Sequence, residues 1–437
     1  MPELVLREGR GRTRKTNMEP SFAMPLAKTE PLRREIERTL TDRPFTVRFW
    51  DGTEIPATST LSDASSTANA SANLLPTFTV RSPRALAYVL RAPGQLGLGR
   101  AYVSGELDVD DLDALLLVLS NWKPPHLDAA AKRRLALAAL RATGLTLPPP
   151  PPQAELRPQG RRHTAERDRR SVRHHYDLPP EFFALFLDKS MTYSCSILSR
   201  GAKTLEEAQE TKLELVCTKL GLQAGERILD VGCGWGSFAV HAAKHHGVHV
   251  SGITLSPPQA ERARQRAHEE GVADLVDIRV MDYRDIAGER YDAISSIGMV
   301  EHVGSAQIDA YTAKLASVLG PGGRLLNHGI ARLRHGEPEA GPFSDRYVFP
   351  DAAPLHLSRV QLSLERAGFV TEHIEGFGAD YADTLTHWIE RLDANLERAT
   401  ELAGEERLRV WRVYLRAARN GFRTGFMGLY QVQCVRT

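Results

Sequence analysis

The chain has 437 residues, 42% hydrophobic and 25% charged, with a formal net charge of +2. That length accommodates two or more domains with proper cores, and the near-neutral balance excludes a global attraction to nucleic acid or anionic lipid, leaving only local patches to act. Four cysteines, Cys195, Cys217, Cys233 and Cys434, form no CxxC pair and no metal-ligand spacing with histidine, so free thiols in a reducing cytosol are expected and no metal is.

Residues 1 to 30 lack apolar periodicity and read as a disordered tail, with Met18 and Met24 as alternative starts. The N-terminus is charged without an apolar core, and no run approaches the ~20 apolar residues of a membrane span, so a chain neither secreted nor membrane-spanning is expected. From 31 to 146 the pattern is that of a small α+β domain. "FTVRFWDGTEIPA" reads as a strand, an Asp51-Gly52 turn and a second strand, while "SPRALAYVLRA" and "DLDALLLVLSNW" carry apolar residues at helical spacing. "LPPPPPPQAELRPQG", from Leu147, cannot continue a helix, and residues 147 to 165 are expected to form a stiff polyproline II linker. Residues 157 to 175 hold seven arginines and three histidines against two acids. Such a run suits lipid phosphates or a solvated helix face; aromatics are not interleaved with the arginines, which speaks against nucleic acid.

From 166 to 437 strand-like runs alternate with amphipathic helical patterns, as in βαβ units around a mainly parallel sheet. Its first unit is "RILDVGCGWGSFAVHAAKHHGVHVSGITLS", residues 227 to 256, predicting strand, glycine turn, helix and second strand. Glycines belong at Gly232, Gly234 and Gly236 if a ligand approaches the main chain closely or the turn needs positive φ. A dinucleotide fingerprint would read G-x-G-x-x-G. This loop reads G-x-G-x-G, and with Asp230 closing the strand before it the segment resembles motif I of the class I S-adenosylmethionine-dependent methyltransferases.

"VRHHYDLPPEFFALFLDKSMTYSCSIL", "DYRDI", "YDAISSIGMVEHVG", "RLLNHGI", "RYVFP", "FGADYADTL" and "GFRTGFMGLYQ" together resemble the cyclopropane-fatty-acyl-phospholipid synthases and the related mycolic-acid and tuberculostearic-acid methyltransferases. The resemblance spans residues 166 to 437, with a weaker echo in "GLGRAYVSGELDVDDLDALL". It implies a Rossmann-like, seven-stranded α/β sheet with a smaller N-terminal α+β domain that docks lipid or another subunit. It also implies that S-adenosylmethionine is attacked by the double bond of an unsaturated acyl chain, leaving a cation that a bound bicarbonate deprotonates. The pocket would then be apolar except at one spot, since water would trap the cation.

Carried over by residue, the bicarbonate site falls on Cys195, Glu301, His328, Ile330 and Tyr381. Cys195, His328 and Tyr381 can donate to an oxyanion, and Ile330 would offer its backbone amide. Glu301 is the odd member, since a carboxylate repels an anion: it must orient His328, share a proton or face the cation. The cofactor site falls on Gly232, Gly234 and Gly236, with Tyr176, Tyr193 and Ser194 closing over them, on Thr254, Leu255 and Gln259 after the second strand, and on Asp282 and Tyr283 where adenine would lie. No acidic residue ends the second strand to hold the ribose hydroxyls. The expected partners are unsaturated phospholipid acyl chains at the inner face of the membrane, on which a cytoplasmic enzyme would bind peripherally; a homodimer stays open. A 10-methylene acyl product, a small-molecule N- or O-methyltransferase and a catalytically dead lipid-binding module are the alternatives.

Overall fold

In a computed structural model the described residues are 29–59, 75–144, 149–156, 164, 167, 178–333, 341–350 and 354–437. Tyr176 and nearly all of the basic run therefore lie outside the described residues. The N-terminal unit carries α1 (Glu30–Thr39), β1 (Thr46–Phe49), β2 (Glu54–Ile55), β3 (Thr77–Val80), α2 (Pro83–Arg91), α3 (Gln95–Val103), β4 (Leu107–Val109), α4 (Leu112–Asn121) and α5 (Ala129–Thr143). Its four strands lie in the order β2-β1-β3-β4. The Asp51-Gly52 turn joins β1 to β2, with Gly52 at φ +80°, which any residue bearing a Cβ would adopt only at a cost.

The larger unit opens with α6 (Pro180–Ala184) and α7 (Leu205–Leu220), followed by β5 (Arg227–Val231), α8 (Ser237–His246), β6 (His249–Thr254), α9 (Pro257–Glu269) and β7 (Val276–Val280). Next come β8 (Tyr291–Ile297), α10 (Val300–Val303), α11 (Ile308–Val318), β9 (Leu319–Arg332), α12 (Pro342–Tyr347), β10 (Leu355–His356), α13 (Leu357–Arg366) and β11 (Phe369–Gly376). The chain ends in α14 (Gly378–Asp393), α15 (Leu396–Ala403), α16 (Glu405–Arg423) and β12 (Met427–Arg436). Seven strands run β11-β12-β9-β8-β5-β6-β7, with the two-residue β10 added beside β9. β12 runs antiparallel to both neighbours, and the other pairs on the path are parallel. This is the doubly wound α/β sheet that the alternation of strands and helices predicts. Strands in its middle are covered on both faces, so β5 reads Ile228, Leu229 and Val231, each fully buried, rather than alternating.

Residues 149–156 are fastened to both units. Tyr88 Oη and Arg91 Nη1 donate to the carbonyls of Pro150 and Pro149 at 2.8 and 3.1 Å, Ala154 N donates to Glu406 at 2.9 Å, and Glu155 forms a buried pair with Arg100 at 2.6 Å. Instead of standing off as a spacer, this segment is a strap. Tyr102, Val103, Val109 and Leu112 share one core with Tyr347, Val348 and Val410, and the Arg409 guanidinium lies 4.1 Å over the Tyr102 ring.

Candidate active site

The strand order reverses between β5 and β8, and the crevice outside the carboxyl ends there is where open parallel sheets bind ligands. A cavity of ≈ 160 Å³ occupies it, walled by Gly232 and Gly234, by Thr254, Leu255 and Gln259, and by Asp282 and Tyr283, with Met191, Tyr193 and Ser194 opposite.

The loop glycines serve different ends. Their φ values are +81°, +54° and +82° for Gly232, Gly234 and Gly236. A Cβ on Gly234 would meet no atom within 4 Å, whereas one on Gly236 would stand 2.8 Å from Cβ of Ala263. Gly236 caps α8 and lets it approach α9; unlike its two neighbours it does not line the cavity. Its missing side chain is needed for helix packing, whatever contact its backbone makes with a cofactor.

The opposite wall is pinned from below. Gln209 Nε2 donates to the carbonyls of Thr192 and Ser194 at 3.2 and 2.9 Å, and Asp188 accepts from the amides of Ser190 and Thr192 at 2.8 and 2.9 Å. Between them Met191 holds φ +55°, the one non-glycine at positive φ among the described residues; such strain persists only where the surroundings over-determine it. Tyr193 stacks on Trp388 at 5.2 Å between ring centres.

Thr254 Oγ1 donates to Gln259 Oε1 at 2.8 Å, which leaves the Gln259 amide nitrogen as the donor toward a ligand. Asp282 accepts from Arg284 N at 3.0 Å and pairs with Arg284 Nη1 at 2.8 Å, so an adenine amino group would share oxygens already engaged. Asp230 is 2% exposed and its Oδ2 has no partner among the described residues; burial pushes its carboxyl up to about 7 even though the Lys212 ammonium opposes the shift. Lys212, buried on α7, donates from Nζ to Ser194 Oγ at 2.9 Å, and burial pulls it down to about 8. Sequence reasoning missed Lys212, although its signal was present: Leu205, Ala208, Gln209, Lys212, Leu213 and Val216 form one buried helical stripe with two polar members.

A second cavity, of ≈ 300 Å³, adjoins the first and shares Tyr193, Ser194, Gly298 and His302 with it. All five residues expected around the anion line it: Cys195, Glu301, His328, Ile330 and Tyr381. Phe343, Val348, Phe349, Leu385, Phe422 and Leu429 make the rest of its wall mostly apolar, and Gln95 of α3 brings the N-terminal unit into it.

Glu301 Oε1 accepts from Ile330 N at 2.7 Å and Oε2 has no partner among the described residues. The Ile330 amide is therefore spent on Glu301 and does not face an anion as expected. Burial outweighs that hydrogen bond and pushes the Glu301 carboxyl up to about 7. Of the three roles open to Glu301 this favours sharing a proton, since a protonated carboxyl donates to an anion.

His328 Nδ1 and Gln431 Nε2 lie 3.2 Å apart, Gln431 Oε1 accepts from Lys219 Nζ at 2.7 Å, and Lys219 pairs with Glu375 at 2.6 Å. An ammonium can only donate, so the amide must turn its oxygen to Lys219 and its N–H to His328. That places the ring proton on Nε2, which has no partner among the described residues. Burial holds His328 far below the usual histidine range and therefore neutral. Burial likewise pushes the Cys195 thiol up, and its Sγ donates to Ser196 O at 3.1 Å and Phe377 O at 3.7 Å. Tyr381 packs against Phe422 at 4.7 Å. Sequence reasoning also missed Gln431, fully buried on β12, and His302, which burial pulls down to about 4.

Residues 163–432 match the family described as Mycolic acid cyclopropane synthetase. The probable fatty acid methyltransferase Rv3720 of Mycobacterium tuberculosis is 38% identical over 370 residues, covering 81% of this chain and 85% of its own. That is more than residues 163–437 can supply, so the similarity reaches into the N-terminal unit. The cyclopropane-fatty-acyl-phospholipid synthase of Escherichia coli is 34% identical over 358 residues, 81% of this chain and 86% of its own. Among solved structures, mycolic acid cyclopropane synthase CmaA1 complexed with SAH and CTAB superposes with TM-score 0.58 at 33% identity, covering 61% of this chain and 98% of that one.

Proposed function

The chain belongs to the mycolic acid cyclopropane synthetase family, and from that premise we propose that it methylates the double bond of unsaturated acyl chains carried on membrane phospholipids, giving cyclopropane fatty acids. The observation that carries this reading is the pair of adjoining cavities. The first joins a glycine loop to buried polar groups, including the unpartnered Asp230 Oδ2, and has room beside Gly234 for a ligand against the backbone; this fits S-adenosylmethionine. The second is largely apolar, with the unpartnered Glu301 Oε2 and His328 Nε2 in its wall; this fits an acyl chain beside a small anion such as bicarbonate. When bound, S-adenosylmethionine supplies the sulfonium methyl and bicarbonate accepts the proton that the alkylated chain must lose.

The protein's own residues do the rest. Lys212 and Gln209 hold Ser194 and its neighbours at the shared wall. The neutral His328 donates from Nε2, the protonated Glu301 from Oε2, and Tyr381 from its hydroxyl to one oxyanion, which the low-dielectric surroundings strengthen. The aromatic and aliphatic wall excludes water that would capture a cation. Phe426 lines the same cavity and is 38% exposed, which supports an apolar mouth opening toward a lipid surface. Among the described residues no helix is long and apolar enough to cross a membrane, and peripheral association at the inner face is the proposed location. The N-terminal unit completes the acyl cavity through Gln95 and the α3–α12 contact, where Gly99 packs on Phe343.

Expression in a host lacking such enzymes, followed by mass spectrometry of its phospholipids, tests the proposal. Acyl chains heavier by one CH₂ and without a double bond are expected; a 10-methylene chain keeps its unsaturation and would replace the ring product. Unaltered lipids together with methylation of a small amine or hydroxyl compound would overturn it.

A further inference from the structure

At the end of α8 remote from the glycine loop, two helices bring four metal-ligating side chains together. Glu214 and Cys217 lie one turn apart on α7, while His241 stands midway along α8 and His246 is its last residue. The Nε2 atoms of both histidines converge on one oxygen, Glu214 Oε2, at 3.2 and 3.1 Å. Cys217 Sγ and a ring nitrogen of each histidine lie within 4.8 Å of one another. Cys217 is fully buried, and the side chains of His241 and His246 are 10% and 21% exposed against 49% for Glu214. The cluster thus opens to solvent on its carboxylate side, which gives an ion a way in.

We propose that Glu214, Cys217, His241 and His246 form a structural zinc site that ties α7 to α8. Two imidazoles, a thiolate and a carboxylate make a borderline-soft donor set of the number that closed tetrahedral zinc sites use. With Zn–N of ~2.0–2.1 Å and Zn–S of ~2.3 Å, tetrahedral ligands stand about 3.3–3.6 Å apart, so Cys217 and the two histidines, within 4.8 Å of one another, would draw closer on binding, and Glu214, already at both histidines, would supply the fourth ligand. Calcium and magnesium, which require oxygen ligands, are not expected to bind. On zinc binding the Cys217 proton passes to solvent, as a coordinating thiol is deprotonated. Because α8 begins at the glycine loop, clamping its far end stiffens the foot of the cofactor crevice without a part in the chemistry. The spacing of cysteine and histidine along the chain hides this group, because its members come from two helices that meet only in the fold.

The test uses untagged full-length protein, stripped with a chelator and titrated with Zn²⁺ alone in competition with a fluorescent chelator, with Mg²⁺ as control. One equivalent held per chain, a rise in unfolding temperature with Zn²⁺ and release of a proton are expected, while Mg²⁺ does nothing. His246→Ala at the partly exposed edge and Cys217→Ser at the buried one should each lose that equivalent and the thermal response. Should Cys217→Ser fold poorly by circular dichroism, the decision rests on His246→Ala and the double variant His241→Ala/His246→Ala. Zinc held equally by wild type and the double variant, or not held by either, overturns the proposal.

Discussion

Replacing Glu301 by glutamine isolates the protonation of one buried group, because the amide keeps an oxygen to accept from Ile330 N and removes only the charge. The wild-type carboxyl is pushed from 4.5 to about 7 by burial, so the folded state holds this proton more tightly than the unfolded chain does. Stability from this group is fully present below the unfolded value of 4.5 and declines as pH rises to about 7. At 1.36 kcal/mol per unit, ionising Glu301 costs the fold about 3 kcal/mol above that window, of which about 2–3 kcal/mol develops between pH 5 and pH 8.5. Urea unfolding of both proteins at those two pH values measures it directly. Glu301→Gln should be close to wild type at pH 5 and more stable by roughly that amount at pH 8.5, with an unchanged m-value. The raised Asp230 is common to both and cancels. Turnover should lose its dependence on a group near pH 7 while its maximum falls. A stability difference equal at the two pH values would mean that Glu301 ionises normally, and the proton-sharing role would be abandoned.

Gly234→Ala puts a methyl group into the first cavity at φ +54° without touching the protein, so calorimetry should show weakened S-adenosylhomocysteine binding with a stability loss of only about 1–2 kcal/mol. Gly236→Ala, pressed against Ala263, should show the reverse balance, and the opposite ranking would contradict the assignment of the loop. Tyr381→Phe should lower turnover about ten- to a hundredfold, as for a lost donor to a charged group, with cofactor affinity unchanged and partial recovery in added bicarbonate; full activity and no response of the wild type to bicarbonate depletion would remove the anion cage. Gln431→Leu cuts the link from Lys219 to His328 and should cost about tenfold or more in turnover, with nitrogen NMR of the His328 ring showing both tautomers. A ring still protonated only at Nε2 would show that Gln431 does not set it.

The alternation of β5, α8 and β6 was legible in the sequence, because strand and helix periods, and glycines that tolerate positive φ, are properties of neighbouring residues. So was the convergence of Cys195, Glu301, His328, Ile330 and Tyr381, which line one cavity, since strand ends and adjoining loops of a parallel sheet open on one crevice. Lys212 was legible in principle from its helical stripe. What those groups do to one another was decided only by tertiary structure. Glu301 takes the Ile330 amide across 29 residues, and Gln431 reaches His328 across 103; such pairings depend on which partners packing brings within 3.5 Å and on the hydrogen-bond valences left over. Whether a carboxyl or imidazole is charged depends in turn on water removed by segments distant in the chain. The same cause separates Gly234 from Gly236, both glycines at positive φ yet facing a cavity and a helix, and turns the proline segment at 149–156 from a spacer into a strap, because the groups that hold it, Tyr88, Arg100 and Glu406, come from both units.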